Sequence, residues 1–229
     1  MFGNFGNSPE KRRKKALARA THPVMQRYLE QPLADSALPW NEVDIVALDF
    51  ETTGLDPATE QILSYGMVDV HAGVIQLSSA SHELVKAEKS IPESSAVIHH
   101  ITDDQASNGR DIEHILPELL ERLAGKVMLV HYNNIEQGFL DAACQRLYGS
   151  PFIIPIIDTL ALGHRMLVRR NHALNTNALR LFNLRDMYKL PVYRAHNALN
   201  DAMTTAELFL ALEAEITPHS ATPLKSLLV

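Results

Sequence analysis

A single cysteine, Cys144, stands among 229 residues, so no intrachain disulfide can staple the fold, and a reducing compartment suits the chain. No apolar run approaches the roughly 18 residues that a membrane span requires. The first thirty residues also lack the apolar stretch of a secretory signal. These absences lead us to expect a soluble, cytoplasmic protein. Internal repeats are missing, low complexity is confined to the N-terminus, and the sequence holds neither a zinc-ligand cluster nor a Gly-rich phosphate loop. Positive charge is scarce too: Lys and Arg number 21 against 27 Asp and Glu, for a net charge of −6. The deficit is uneven. Residues 1–20 carry Lys11, Arg12, Arg13, Lys14, Lys15 and Arg19 against Glu10 alone, which is +5 and leaves −11 for residues 21–229. A body of that sign binds polyanions poorly, because phosphate binding ordinarily rests on Lys and Arg displacing counterions. Composition alone therefore speaks against a nucleic-acid partner.

What is present is enough apolar material, 46% of residues, for one sizeable core with an appendage. Residues 1–9 are Gly- and Asn-rich and read as a mobile start, and Glu10–Leu29 reads as a short helical arm with Ala16, Ala20, Met25 and Leu29 spaced near four. We divide the chain into a basic helical arm and linker (1–40), a main domain (41–216) and a C-terminal tail (217–229). In the main domain, Val43–Phe50 is apolar on both faces apart from its acids, as in the central strand of a covered sheet. Gln61–Val70 and Gly73–Lys86 follow as strands around the turn His71-Ala72-Gly73. Residues 111–124 predict a helix, Val127–Val130 a short buried strand, and Ile135, Phe139, Ala143 and Leu147 a further helix. A strand ends at Asp158; Leu160–Leu167, Thr176–Tyr188 and a last segment beginning near Leu199 read as helices. Three successive strands followed by alternating helices and strands predict an α/β domain with a mixed sheet.

The acids are the feature that needs explaining. Asp49 and Glu51 lie two apart on a strand, so their side chains leave the same face about 6.6 Å apart along the backbone. Two carboxylates on an otherwise apolar strand repel one another and resist desolvation unless a charge compensates them. A divalent cation supplies that charge; the plainer alternative is that Glu51 merely starts the turn Thr52-Thr53-Gly54-Leu55-Asp56-Pro57. Glu136 sits in the first turn of the helix carrying Phe139, where an acid also suits the helix dipole. Asp201 lies near the start of the final helix, five residues after His196. Each of these residues alone has an ordinary reading as a cap or a solvated group. Taken together, an oxygen-rich set suits Mg²⁺ or Mn²⁺.

The strings DFETTGLDP, VHYNNIEQGFL and HNALNDAMTTAELF, in that order, resemble the three motifs of the DEDD exonuclease superfamily. His196 five residues before Asp201 resembles its DEDDh subgroup, which includes the proofreading epsilon subunits of bacterial DNA polymerase III, ribonuclease T and the oligoribonucleases. IHHIT at 98–102 and IDTLAL at 157–162 resemble smaller family signatures. The resemblance implies an RNase H-like fold, with a mixed five-stranded sheet flanked by helices, and removal of nucleotides from a 3′ end. It implies two Mg²⁺ or Mn²⁺ ions held by Asp49, Glu51, Glu136 and Asp201, and His196 as general base. It also implies a contact turn for the terminal nucleotide at Thr52, Thr53, Gly54 and Leu55. The expected substrate is a single-stranded or frayed nucleic-acid 3′ end, DNA ahead of RNA. One departure stands out: the family's usual aspartate falls on Glu136, and the asparagine that usually follows its histidine falls on Tyr132. We expect retained catalysis with an altered metal preference or a lower rate. Two rival readings stay open, a trimmer of short RNA and a weakened binding module that recruits a protein partner through the N-terminal arm.

Overall fold

The structure, a computed structural model, describes residues 8–170, 176–217 and 222–229; most of the N-terminal stretch read as mobile lies outside these. The arm is two helices instead of one, α1 (Pro9–Leu17) and α2 (Pro23–Glu30). Pro23 lacks an N–H and holds His22 in an extended conformation, so the first helix cannot run on. The second restarts there, with the His22 Nδ1 accepting from the Val24 N–H at 3.3 Å. Met25, Tyr28 and Leu29 enter the core, and the Tyr28 hydroxyl donates to the Ile153 carbonyl at 2.8 Å. Arg13 is buried as well, donating to both oxygens of Glu10 and to the Leu29 carbonyl. One of the six cations in the arm therefore serves the fold, and a phosphate cannot reach it.

Five strands follow the arm in a mixed sheet: β1 (Ile45–Thr52), β2 (Ile62–His71), β3 (Val74–Leu84), β4 (Val127–Val130) and β5 (Ile156–Asp158), ordered β3-β2-β1-β4-β5. β1 is central, antiparallel to β2 and parallel to β4. Its alternation explains why both faces are apolar. Val46, Leu48 and Phe50 join one core cluster, and Ile45 and Ala47 join the other. The first face is covered by α2, α5 (Ile112–Leu123) and α6 (Asn134–Tyr148). The second is covered by α7 (Thr159–Arg169), α8 (Leu181–Met187) and α9 (Ala198–Ile216). This is the predicted α/β architecture. Two short helices that the sequence pattern does not announce, α3 (Glu93–His99) and α4 (Asp103–Ser107), fill the path from β3 to α5. The helix expected over Thr176–Tyr188 divides into a 3₁₀ turn at Thr176–Leu179 and α8, because Arg180 between them is extended. This break lets Leu181 and Leu184 reach the core.

The C-terminal residues are tied down. The buried Glu213 carboxylate accepts from the Thr217 hydroxyl at 2.6 Å, the Thr222 hydroxyl at 2.7 Å and the Thr222 N–H at 3.1 Å. Leu228 bridges to Ile157, and the Val229 N–H donates to the Ile156 carbonyl at 3.1 Å. The open edge of β5 is thereby covered, which removes a template for unwanted strand pairing. Among the described residues no helix is long and apolar enough to cross a membrane.

Candidate active site

The C-terminal ends of β1 and β4 carry the acids. Asp49 and Glu51 leave β1 on the face that α9 covers, and register places Asp49 opposite Gly66 and Glu51 opposite Ser64 on β2. At Gly66 a side chain would meet backbone: an added Cβ would stand 2.1 Å from the Leu199 nitrogen and 2.2 Å from the Ala198 carbonyl carbon. The bare glycine admits the first turn of α9 onto the sheet beside Asp49. Asp201, in that turn, is delivered to the strand acids as a result. One ligand oxygen from each of Asp49, Glu51 and Asp201 lies within 4.8 Å of the others.

Glu136 stands outside that tight triplet, on the first turn of α6. It is buried, and its charge is the first among the neighbouring acids to act on Asp49. Four carboxylates crowded out of water hold their protons more tightly than usual. Burial, followed by the charges of Glu136, Asp201 and Glu51, pushes Asp49 well above the ordinary carboxylate range. Burial and the Asp201 charge raise Glu51 to about 8. Burial raises Glu136 to about 8 against the pull of the backbone N–H groups of Glu136 and Phe50. Asp201 is raised by burial to about 7, with the His196 N–H and the charge of Arg185 pulling the other way. Glu51 Oε1, Glu136 Oε2 and Asp201 Oδ1 are buried with no hydrogen-bond partner. Orphaned carboxylate oxygens in one buried acid cluster fit hard divalent cations such as Mg²⁺ or Mn²⁺, which take oxygen ligands.

The segment before α9 is irregular, as its sequence leads one to expect. It is nevertheless tied to α9: the Tyr193 hydroxyl donates to Glu207 at 2.7 Å, and Asn200 Nδ2 donates to the Arg194 carbonyl at 3.0 Å. His196 occupies the left-handed region at φ 58°, and its N–H donates to Asp201 Oδ2 at 3.1 Å. One bond therefore joins the histidine's backbone to a cluster acid. Burial, then the nearby His100, lowers the affinity of the His196 imidazole for a proton.

The turn Thr52-Thr53-Gly54-Leu55 has an internal frame. Thr53 is buried and spends its hydroxyl on Glu60 and on the Gln61 N–H, while its carbonyl accepts from the Ser95 hydroxyl of α3 at 2.7 Å. The Thr52 hydroxyl donates to the Gly54 carbonyl at 2.7 Å. Leu55, in contrast, is 74% exposed. The IHHIT segment turns α3 into α4: His100 is its left-handed cap, and Thr102 caps α4.

Three residues outside the expected site set build it. Gly66 is one. Asp158, buried at the end of β5, accepts from the N–H groups of Tyr132, Asn133 and Leu160 at 3.0, 3.0 and 2.8 Å, which fixes the β4–α6 turn behind Glu136. IDTLAL carried that signal, but as a junction. His131, half-buried between the Thr159 hydroxyl and the Leu179 carbonyl, is lowered to about 4 by desolvation. It is therefore neutral, with Nε2–H donating to the Leu179 carbonyl and Nδ1 2.8 Å from the Thr159 hydroxyl, which also reaches the Val130 carbonyl at 3.1 Å.

A mixed sheet of order β3-β2-β1-β4-β5 with helices on both faces is an RNase H-like fold, here with acids at the C-terminal end of the central strand. The exonuclease family model matches residues 46–209. The chain belongs to that family. Over 171 residues it is 35% identical to the DNA polymerase III PolC-type of Thermotoga maritima, a match that covers 75% of this chain and 12% of that protein. It is 30% identical over 173 residues to DNA polymerase III subunit epsilon of Treponema pallidum, covering 75% and 77%. Among solved structures it resembles the nuclease domain of 3′hExo, a DEDDh family member bound to rAMP, with TM-score 0.64, 16% identity and coverage of 81% and 98%. The chain thus spans about an eighth of the length of the PolC-type relatives.

Proposed function

We propose that this protein shortens DNA from its 3′ end by a two-metal hydrolysis that releases nucleoside 5′-monophosphates. The convergence of Asp49, Glu51 and Asp201 within 4.8 Å carries the reading. These three acids, with Glu136 from α6, would hold the ions. Divalent ions bound there acidify water and stabilise the entering and leaving oxygens of the scissile phosphate. The chain's own residues supply the rest. His196, on the exposed rim of the cluster and tied to Asp201 through its backbone, accepts the proton of the attacking water. With its ring less basic than usual, the imidazole is neutral and able to accept at neutral pH. The backbone of Thr52–Gly54 and the exposed Leu55 receive the terminal nucleotide. Preference for DNA draws on the DNA polymerases among its relatives.

The test is an assay on matched 5′-labelled DNA and RNA oligonucleotides of several lengths, with Mg²⁺, Mn²⁺ or EDTA. We expect stepwise shortening of DNA in either metal, no shortening in EDTA, and none from Asp49→Asn or Asp201→Asn. His196→Ala should cut the rate by about 10²–10⁴-fold while Mn²⁺ still binds. Full activity in EDTA would sink the two-metal mechanism. Faster turnover of short RNA than of DNA would replace the substrate assignment, and no mononucleotide release from the intact protein would leave a binding module.

A further inference from the structure

The His196 imidazole has one aromatic neighbour and no hydrogen-bond partner among the described residues. The ring of Phe182, on the first turn of α8, meets it in a T-shaped contact with centroids 5.6 Å apart and planes at 78°. Phe182 is held in turn. The guanidinium of Arg185, three residues further along α8, stacks over its ring at 5.2 Å, a spacing that puts the two side chains on one helical face. Arg185 is itself buried, at 7% exposure, and its Nε and an Nη donate to Asp186 Oδ1 at 3.0 and 2.7 Å. The helix carrying both residues is anchored through Leu181 and Leu184, the latter packed against Gly163 of α7 so closely that an added Cβ would meet it at 2.8 Å.

A buried arginine beside an aromatic ring near four acids calls for an explanation. It is not a metal ligand, and its carboxylate partner Asp186 is exposed. Arg185 stacks on the ring that meets the His196 imidazole in the T-shaped contact. An exposed histidine on an irregular segment otherwise samples several rotamers, and a general base off its line of attack loses most of its worth.

We infer that Phe182, clamped by Arg185, is the positioning residue that orients the His196 imidazole toward the Asp49–Glu51–Asp201 cluster. The inference rests on His196 being the general base proposed above. Neither Phe182 nor Arg185 touches the reacting atoms: Phe182 acts through His196, and Arg185 acts through Phe182 and, by its charge, on Asp201. Truncating the ring therefore alters turnover, while binding of the oligonucleotide and of the metal is spared.

The test pairs kinetics with nuclear magnetic resonance on the full-length protein. In the wild type, nuclear Overhauser contacts are expected between the Phe182 ring protons and the imidazole protons of His196. Phe182→Leu should abolish these contacts, shift the His196 signals, and lower kcat roughly tenfold, a fraction of the 10²–10⁴ that a general base supplies, with KM and Mn²⁺ affinity within about twofold. Phe182→Tyr should restore both signal and rate. Arg185→Gln, which keeps α8 but removes the cation over the ring, should lower kcat less and broaden or move the His196 signals. Absence of the contacts in the wild type, or unchanged His196 signals and kcat in Phe182→Leu, would overturn the positioning role. If Phe182→Leu does not fold, the wild-type contacts and Arg185→Gln decide the matter, and unchanged signals and rate in Arg185→Gln would overturn the clamp. His196→Ala with full activity would instead overturn the general-base reading, and the resonance contacts would still report the geometry.

Discussion

At the scale of single residues, backbone strain collects around the site. Tyr132, His100 and His196 all take positive φ, at 77°, 58° and 58°. Left-handed backbone is costly for an L-residue, least so for asparagine and its like, which bond locally, and more for a bulky aromatic. Tyr132 stands where the family resemblance puts asparagine, and the conformation explains the preference. The turn keeps its shape regardless, because the Asp158 carboxylate holds the Tyr132 and Asn133 N–H groups. With 43% of Tyr132 in solvent, little packing offsets the strain. Tyr132→Asn should therefore raise stability by about 0.5–1 kcal/mol, read as an increase in denaturation midpoint with unchanged slope. A lower midpoint would mean that the tyrosine ring makes a contact worth more than the strain.

At the scale of elements, the site depends on how closely α9 lies on β2. The approach is allowed by one missing side chain, Gly66, directly across from Asp49. Gly66→Ala places a methyl group against the backbone of Ala198 and Leu199, which cannot yield as a flexible side chain would. Overpacking of this kind costs about 1–3 kcal/mol. A helix displaced by about an ångström also carries Asp201 away from Asp49, and misplacement on that scale can cost about 10²-fold in rate. The expected variant is folded, modestly less stable and about a hundredfold slower, as measured by thermal unfolding and the 5′-labelled oligonucleotide assay. Wild-type turnover in Gly66→Ala would show that the acids need no such close approach. The opposite end of the molecule tells of the arm: His22 of the segment before α2 stacks on Tyr148 at the far end of α6. Along α6, Tyr148 lies twelve residues after Glu136, about 18 Å.

For the whole molecule, the net charge of −6 at first speaks against a nucleic-acid partner. The acid cluster changes the meaning of that number, since the proposed divalent ions would turn these acids from repelling phosphate to binding it. The same acids link stability to pH. Glu51, Glu136 and Asp201 titrate near 8, 8 and 7 in the folded chain and near 4 when unfolded. The folded state therefore holds more protons across that interval, and its stability falls as pH rises through it. Histidines held below their usual value, His131 foremost, act in the opposite sense but only below about pH 6.5. The clean window is thus about pH 6.5 to 8, where only the raised carboxylates change. In EDTA the melting temperature should drop across this window, and millimolar Mg²⁺ or Mn²⁺ should restore more stability at its alkaline end, where ions replace the lost protons. A melting temperature that is flat or rising in EDTA, with equal gains from metal throughout, would contradict the clustering of the acids.

Much of this was legible in the one-dimensional pattern. β1 was readable because its two faces are apolar in strict alternation, and α5, α6 and α9 because their apolar residues recur at helical spacing. The acids were conspicuous because charge on a buried strand is expensive. Pro23 marked a helix break that spacing alone ran through, and α3 and α4 are too short for periodicity to register. The sequence by itself determined which elements form and which residues bear the chemistry, because those depend on local propensity and on side-chain type. Only the tertiary structure decided that Gly66 opens the way for Asp201, that Asp158 holds the Glu136 turn, and that Arg185 and Phe182 stand behind His196. Those are contacts between residues far apart in the chain, set by how layers pack, and no local pattern encodes them.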